Sequence, residues 1–579
     1  MNDNKCLTGY PSIDKPWLKY YTQDQIDAKM PECKVYEYLW NNNRDYLDRI
    51  ALNYYDHRIT YGCVFDEIDK TAKAFTAIGV SKGDIVSIIA VTLPETIYTL
   101  YALNRIGAIA NMIDPRTSVD GIFDYISEVQ SKVIVVLDVA YEKVKAAIQN
   151  ITIDKLIVIS PVDSLPVIKK GLYKITKSKR IPDNDKTCIW TRFITLGKKI
   201  NIVNDSQYVK DECCIIVHTG GTTGNPKGVM LSNDNLNCSA FQCLNSSLDM
   251  QRHHKWANIM PPFIAYGVGN GLHFPLTVGM EVILIPAFDP SKYDELLLKY
   301  HPSHIVGVPS HYENVMNSSK MANQDLSYLI SPIVGGDNMK TDLEEKVDYF
   351  LSTHNGRNNL IKGYGMTEVS AAVSVCTSNQ CNKIGGVGIP FAHTIISIFD
   401  TETGEELEYG NKGEVCMTGP NTMLGYYHNS EETGNILRQH SDGRIWVHSG
   451  DLGYMDEDGQ LFIDGRLKRM IVRHDGFKVF PSLIESVVDS NKNVKACCVV
   501  GKNDQEHAQG QLPKVYLVLE DTKVKCENVV PELTKLCEEK LPDYAQPIGF
   551  EIIDKLPLTS IGKVDYRALE KLAEGENDG

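Results

Sequence analysis

The sequence is short of positive charge. Lys and Arg total 59 against 74 Asp and Glu, a net charge of −15. That balance gives nucleic acid no electrostatic footing and argues against a strongly anionic membrane as a default partner. No apolar run is long enough to span a bilayer. Met1-Asn2-Asp3-Asn4-Lys5 lacks the apolar core of a secretory leader. The 15 cysteines include no CxxC pair and no Cys/His cluster at metal-ligand spacing. Two adjacent pairs, Cys213-Cys214 and Cys497-Cys498, sit inside apolar runs, so reduced, buried thiols and a reducing cytoplasm are expected. There is no internal repeat, and the only low-complexity tract is the polar tail 574–579.

What is present is an ordinary globular composition, 43% hydrophobic and 23% charged, over 579 residues. A chain of that length exceeds one core. The aromatic N-terminal stretch with Trp17, Tyr20 and Tyr21 is expected to pack onto a larger body. Val64, Ile68, Ala72 and Phe75 share a helical face. Apolar strand-like runs at residues 85–91, 108–113, 133–137 and 156–159 alternate with helical stretches such as 95–106. That rhythm predicts an α/β fold with helices covering a largely parallel sheet. Residues 161–200 interrupt it with a lysine-rich segment. Leu165, Ile168, Leu172 and Ile175 stand at helical spacing there, a pattern that can lie on a membrane surface. Gly171 and Pro166 weaken such a helix, so a solvated surface excursion is the favoured reading. Strand-like runs resume at 282–285, 305–308 and 333–334. Beyond about residue 385, short strands and turn signals predict a β-rich subdomain, and from Leu467 a compact α+β segment follows.

The most informative stretch is Thr219-Gly220-Gly221-Thr222-Thr223-Gly224-Asn225-Pro226-Lys227-Gly228. It lies between the apolar runs 213–217 and 229–231. Glycines let backbone N–H groups approach an anion, hydroxyls add donors and lysine adds charge, so the expected ligand is polyphosphate. A Walker-type loop needs Gly-Lys-[Ser/Thr] opening a helix; Pro226 before Lys227 and a strand after it exclude that reading. An ordinary hairpin loop is the competing one.

Four later motifs occur in order: Tyr364-Gly365-Met366-Thr367-Glu368, Ser449-Gly450-Asp451, Gly465-Arg466-Leu467-Lys468 and Pro557-Leu558-Thr559-Ser560-Ile561-Gly562-Lys563. With the glycine-rich loop they resemble the adenylate-forming superfamily of acyl-CoA synthetases, luciferases and adenylation domains, over about residues 60–569. The resemblance implies a large N-terminal part, residues 1–466, of α/β layers plus the β-rich subdomain. It also implies a small, mobile α+β C-terminal part, residues 467–579. It implies a two-step reaction: a carboxylate attacks the α-phosphorus of ATP, then a thiol attacks the acyl-adenylate and releases AMP.

The same resemblance gives residues their roles. Thr219, Gly220, Gly221, Thr222, Thr223, Gly224 and Lys227 would hold the β- and γ-phosphates. Glu368 would ligate Mg²⁺, Thr367 would contact the α-phosphate, and Tyr364, with Gly365 and Met366, would sit near adenine. Gly335, Gly336 and Asp337 would line the adenine pocket and acyl channel. Asp451 would accept from the ribose diol, and Arg466 would make a second ribose or phosphate contact. Lys563 would bridge carboxylate and α-phosphate in the transition state. Lys468 matches a hinge, and Gly476 matches a glycine beside the pantetheine tunnel. Read singly, Glu368 could be a surface helix cap, Asp451 a turn aspartate and Lys563 an inert surface lysine.

Two positions depart from the family pattern. Ile264 stands where many members have histidine and amino-acid-activating members have aspartate. An ammonium buried there would lack a partner, so Ile264, Ala265 and Val308 predict an apolar acyl pocket. Leu483 replaces a common acidic residue, while Glu485 keeps the next one. The resulting expectation is an ATP-, Mg²⁺- and CoA-dependent acyl-CoA synthetase for a hydrophobic acid. A ligase loading an acyl carrier protein is one rival, and a non-catalytic acyl-nucleotide-binding protein is another.

Overall fold

The computed structural model describes residues 7–165, 181–219, 227–475, 477–507, 510–520, 526–558 and 564–575. Residues 166–180 of the lysine-rich segment, with Ile168, Leu172 and Ile175, lie outside them.

The α/β alternation builds two open sheets where one largely parallel sheet was expected. The first has eight strands, with spatial order Gly425–Tyr426, Gly228–Ser232, Cys213–His218, Ile109–Ile113, Ile85–Ile89, Val133–Leu137, Lys155–Ile159 and Thr187–Ile189. It is parallel from Cys213–His218 to Thr187–Ile189 and antiparallel at the other edge. The second has nine strands with a parallel centre, Glu281–Leu284, Lys255–Asn258, His304–Gly307, Ser331–Val334 and Ile361–Met366. Antiparallel hairpins close both its ends. A run such as Val133–Leu137, buried at every position, announces a strand covered on both faces. It carries no mark of which sheet it joins, which is why the division into two was invisible in the pattern.

Helices cover these sheets. Thr60 caps Tyr61–Ala77 by accepting from the Cys63 N–H at 3.2 Å. Pro94–Ile106 starts on proline and stops at Gly107, whose φ of +81° is the left-handed C-cap conformation. It is buried almost all round. One apolar core runs through both sheets, from Phe75 and Ile97 to Leu231 and Val282. Truncating a ring as buried as Phe75 would cost about 3–5 kcal/mol.

The β-rich subdomain is a five-stranded antiparallel sheet of Ile395–Phe399, Gly413–Thr418, Ile445–Met455, Leu437–Gln439 and Leu461–Arg466. Trp17 and Tyr21 are buried in its core, as the N-terminal aromatic stretch predicted. Gly459 (φ +83°) permits this, because a Cβ there would fall 2.7 Å from the Trp17 backbone nitrogen.

The C-terminal part has a core of its own, including Ile471, Ile484, Val488, Val499, Val515, Leu533 and Ala545. It is built on the sheet Val494–Asn503, Gln511–Leu519 and Gly549–Ile552, with helices Pro481–Asp489, Cys526–Lys540 and Tyr566–Glu574. The cysteines from Cys33 to Cys498, and Cys537, are free; Cys63 is exposed, Cys214 and Cys498 are buried, and their neighbours Cys213 and Cys497 are half-buried. No described helix is long and apolar enough to cross a membrane.

Candidate active site

The hairpin Cys213–His218 and Gly228–Ser232 brings Lys227 back opposite Thr219. The Thr219 N–H donates to the Lys227 carbonyl at 3.1 Å, and the Lys227 N–H to Thr219 Oγ1 at 3.2 Å. Gly220, Gly221, Thr222, Thr223 and Gly224 lie outside the described residues. Beneath the hairpin runs a buried polar ladder: Asn111 Nδ2 donates to Ser87 Oγ at 3.0 Å, and Asn111 Oδ1 meets His218 Nε2 at 2.8 Å. Burial pulls the His218 pKa down to about 4, so the ring is a neutral support.

Lys227 does not stand alone. Its ammonium is ion-paired with Glu432 and lies 4.9 Å from the centre of the Tyr426 ring. The Tyr426 hydroxyl donates to Glu368 Oε1 at 2.7 Å. Glu368 is buried, on the 3₁₀ turn Thr367–Val369 that follows the strand Ile361–Met366. That turn exits through two strained residues, Ser370 (φ +60°) and Ala371 (φ +112°). Asn421 fixes it by donating to the Val369 carbonyl and accepting from Ser370 Oγ through its own carbonyl. Gly365 is required by the same bend, since a Cβ there would fall 1.7 Å from the Ala371 carbonyl oxygen. Lys362, on the same strand, forms a fully buried ion pair with Glu344.

At the other end of the motif, the Tyr364 hydroxyl donates to Asp451 Oδ2 at 2.6 Å. Arg466 Nε lies 2.8 Å from Asp451 Oδ1, and its guanidinium also reaches the Ser449 carbonyl at 3.4 Å. Burial and the Asp451 charge hold the Tyr364 hydroxyl well above its usual pKa, so it remains a donor. Asp451 is not on a turn: it lies within the eleven-residue strand Ile445–Met455, directly opposite Arg466. Local Gly-Asp chemistry reads as a turn, but cross-strand pairing overrides it, with Gly450 at φ +67° bending the strand. Glu414 Oε1 accepts the Gly450 N–H at 2.9 Å, while Glu414 Oε2 meets His448 Nδ1 at 2.8 Å.

Gly335 follows the strand Ser331–Val334 and donates its N–H to the Gly307 carbonyl at 3.1 Å. A Cβ on it would come within 3.3 Å of the Gly363 carbonyl and 3.9 Å of the Tyr266 hydroxyl. Gly336 (φ +82°) opens into free space, and Asp337 is exposed beside it. Ile264 is half-buried and Ala265 fully buried, just before the glycine-rich π-helical segment Tyr266–His273. Gly267 cannot change there, because its Cβ would fall 1.7 Å from the Pro261 carbonyl oxygen. Val308, half-buried, heads the helix Pro309–Asn317.

The smaller body meets the larger one near this site. Lys340 pairs with Asp489 at 2.5 Å, and Gly465 faces Ser482. Lys468 belongs to the short 3₁₀ turn Leu467–Arg469. Glu485, on the helix Pro481–Asp489, pairs with Arg469 at 2.5 Å. Lys563 and Gly476 lie outside the described residues. Sequence reasoning missed Tyr426, Glu432, Glu414, His448, His218 and Tyr266. The aromatic and acidic run Gly425-Tyr426 to Glu432 was the available signal for the first two.

A continuous line of contacts therefore joins the glycine-rich hairpin to a buried carboxylate, and one motif strand later to a second, paired carboxylate. Between two α/β sheets and an antiparallel sheet, that arrangement defines a nucleotide-handling α/β enzyme. The AMP-binding enzyme model matches residues 39–427, and the model of that enzyme's C-terminal domain matches residues 483–563. The chain belongs to this AMP-binding enzyme family, and it is an AMP-forming ligase. It is 28% identical over 561 residues to a long-chain-fatty-acid–CoA ligase of Bacillus subtilis (strain 168), covering 96% of this chain and 97% of that one. It is 27% identical over 571 residues to a probable 4-coumarate–CoA ligase of Dictyostelium discoideum, covering 94% and 96%. In fold it is similar to ATP-bound MatB from Rhodopseudomonas palustris, with a TM-score of 0.79 at 21% identity, covering 94% of this chain and 100% of that one.

Proposed function

We propose that this chain is an ATP-dependent acyl-CoA synthetase acting on a hydrophobic carboxylic acid. The observation that carries the reading is the line of contacts Lys227–Tyr426–Glu368, continued along the motif strand to Tyr364–Asp451–Arg466. It supplies one polar group for each part of a nucleotide. Asp451 has carboxylate oxygens suited to a ribose diol, with Arg466 beside it. Tyr364 stands next to the base position, bounded by Gly335, Gly336 and Asp337. Lys227 and the donors of the glycine-rich loop would take the β- and γ-phosphates. Glu368 would hold Mg²⁺ with phosphate oxygens, since a buried carboxylate is a hard-oxygen donor of the kind that ion takes, and Thr367 would contact the α-phosphate. When bound, the ion would neutralise the negative charge of the phosphates.

The chemistry joins two anions, so positioning and positive charge carry it. A carboxylate oxygen of the acid forms a bond to the α-phosphorus as the bond to the β-phosphate oxygen breaks, and pyrophosphate leaves. The CoA sulfur then bonds to the acyl carbon, the acyl–phosphate bond breaks, AMP leaves and the thiol proton passes to solvent. On this reading the chain divides at about residue 466. The part from Leu467 delivers Lys563 for the first step, turns about Lys468, and places Gly476 by the thiol in the second.

The acid is proposed as hydrophobic because Ile264, Ala265 and Val308 offer no partner for an ammonium. One relative is named for a long-chain fatty acid and another for 4-coumarate, and an apolar pocket accepts either class. The test is acid-dependent pyrophosphate release and CoA-dependent AMP release across aliphatic and aromatic acids, for the parent chain and Lys563→Ala. The variant should lose adenylation by about 10²–10³ while still binding ATP. Unchanged adenylation in the variant sinks the role of Lys563. Pyrophosphate release without CoA-dependent turnover moves the acceptor to a carrier protein's pantetheine.

A further inference from the structure

Tyr426 touches both charged groups that the proposed first step needs. It lies in the two-residue strand Gly425–Tyr426, opposite Val229 on the strand that leaves the glycine-rich loop. Its N–H donates to Thr433 Oγ1 at 2.9 Å, which ties it to the helix Ser430–Ile436 carrying Glu432. Its ring lies beneath the Lys227 ammonium, and its hydroxyl donates to Glu368 Oε1. Only 5% of its surface is exposed, so ring and hydroxyl are both fixed by packing.

From this geometry we propose that Tyr426 is a positioning residue for the divalent cation held by Glu368. The inference rests on the assignment of Glu368 to that cation. A carboxylate that ligates a metal through one oxygen is free to swing unless its other oxygen is held. A hydrogen bond to that second oxygen fixes the orientation, and losing such a partner typically weakens metal binding by about 10–100-fold. The Tyr426 hydroxyl is placed to do this for Glu368 Oε1, leaving Oε2 for the ion. The ring does separate work: its face holds the Lys227 ammonium near the site.

The two roles separate by substitution. Tyr426→Phe keeps the ring and removes only the hydroxyl; Tyr426→Leu removes both. The measurement is Mn²⁺ affinity by electron paramagnetic resonance on the full chain with a non-hydrolysable ATP analogue, so that no turnover is needed. Nucleotide affinity in EDTA and the thermal midpoint are followed in parallel, with Glu368→Gln as the reference. The expected result is Mn²⁺ binding weakened about tenfold in Tyr426→Phe, with metal-free nucleotide affinity and midpoint unchanged. Tyr426→Leu should additionally weaken metal-free nucleotide binding. If Glu368→Gln loses Mn²⁺ while Tyr426→Phe binds it like the parent, the positioning role is wrong and the Glu368 assignment stands. If Glu368→Gln binds Mn²⁺ like the parent, the assignment itself fails, and the inference falls with it.

Discussion

The two ends of the proposed nucleotide site, one for ribose and one for phosphate, are held in opposite ways. At the ribose end Asp451 is 4% exposed and is bonded by Tyr364 and by Arg466, whose side chain is 55% exposed. The strand bearing Tyr364 is tied down by the buried Lys362–Glu344 pair. At the phosphate end Lys227 is paired with Glu432, and these two side chains are 28% and 42% exposed. Buried charge pairs are costly to break, whereas half-exposed ones contribute about 0–1 kcal/mol. The difference matches what the proposed function asks of each end. The ribose end can stay built while the nucleotide enters. A lysine that must take up phosphate has to leave its partner cheaply.

That contrast can be broken most severely at Glu344. Replacing it with Gln leaves Lys362 charged and buried with neutral acceptors, the Gln amide oxygen and the Lys383 carbonyl at 2.8 Å, in place of its ion-pair partner. A loss of about 3–5 kcal/mol in unfolding free energy is expected, measurable by urea denaturation. A loss no larger than that of a surface substitution would mean the strand does not depend on the pair. Asp451→Asn comes next. Hydrogen bonds to a charged partner contribute about 1.5–3 kcal/mol, so ATP affinity should fall by roughly ten- to a hundredfold. The discriminating readout is the preference for ATP over its 2′-deoxy analogue. Asp451→Asn should erase it; an intact preference would take the ribose away from Asp451.

The same contrast marks what the sequence could and could not reveal. The hairpin around the glycine-rich loop was legible because two apolar runs flank it and glycine, threonine and lysine cluster between them. The buried N-terminal aromatics and the separate C-terminal core were legible from composition and spacing. Asp451, taken singly, could pass for a turn aspartate because Gly450 and Gly453 stand close by, and pairing with Arg466 across the sheet makes it a strand residue. The two sheets were read as one because burial leaves no trace of partner choice. Tyr426 and Glu432 were missed for a plainer reason. Tyr426 lies 58 positions from Glu368, and Glu432 lies 205 from Lys227, so nothing local announces either pair.

The smallest expected effect is also the sharpest test of the contrast. Glu432→Gln removes the charge that pairs with Lys227 but leaves the Tyr426 ring beneath the ammonium. If the pair is an exchangeable resting contact, the lysine no longer has to abandon a carboxylate when phosphate arrives. Pyrophosphate and ATP should then bind a few-fold more tightly, within the range of about 1 kcal/mol set by half-exposed ion pairs. The gain should shrink as salt rises and screens the pair. Calorimetric titration with pyrophosphate at low and high ionic strength measures both. Weaker binding in Glu432→Gln would reverse the argument. Glu432 would then be aligning Lys227 for the phosphates, and the phosphate end would be as fully built in advance as the ribose end.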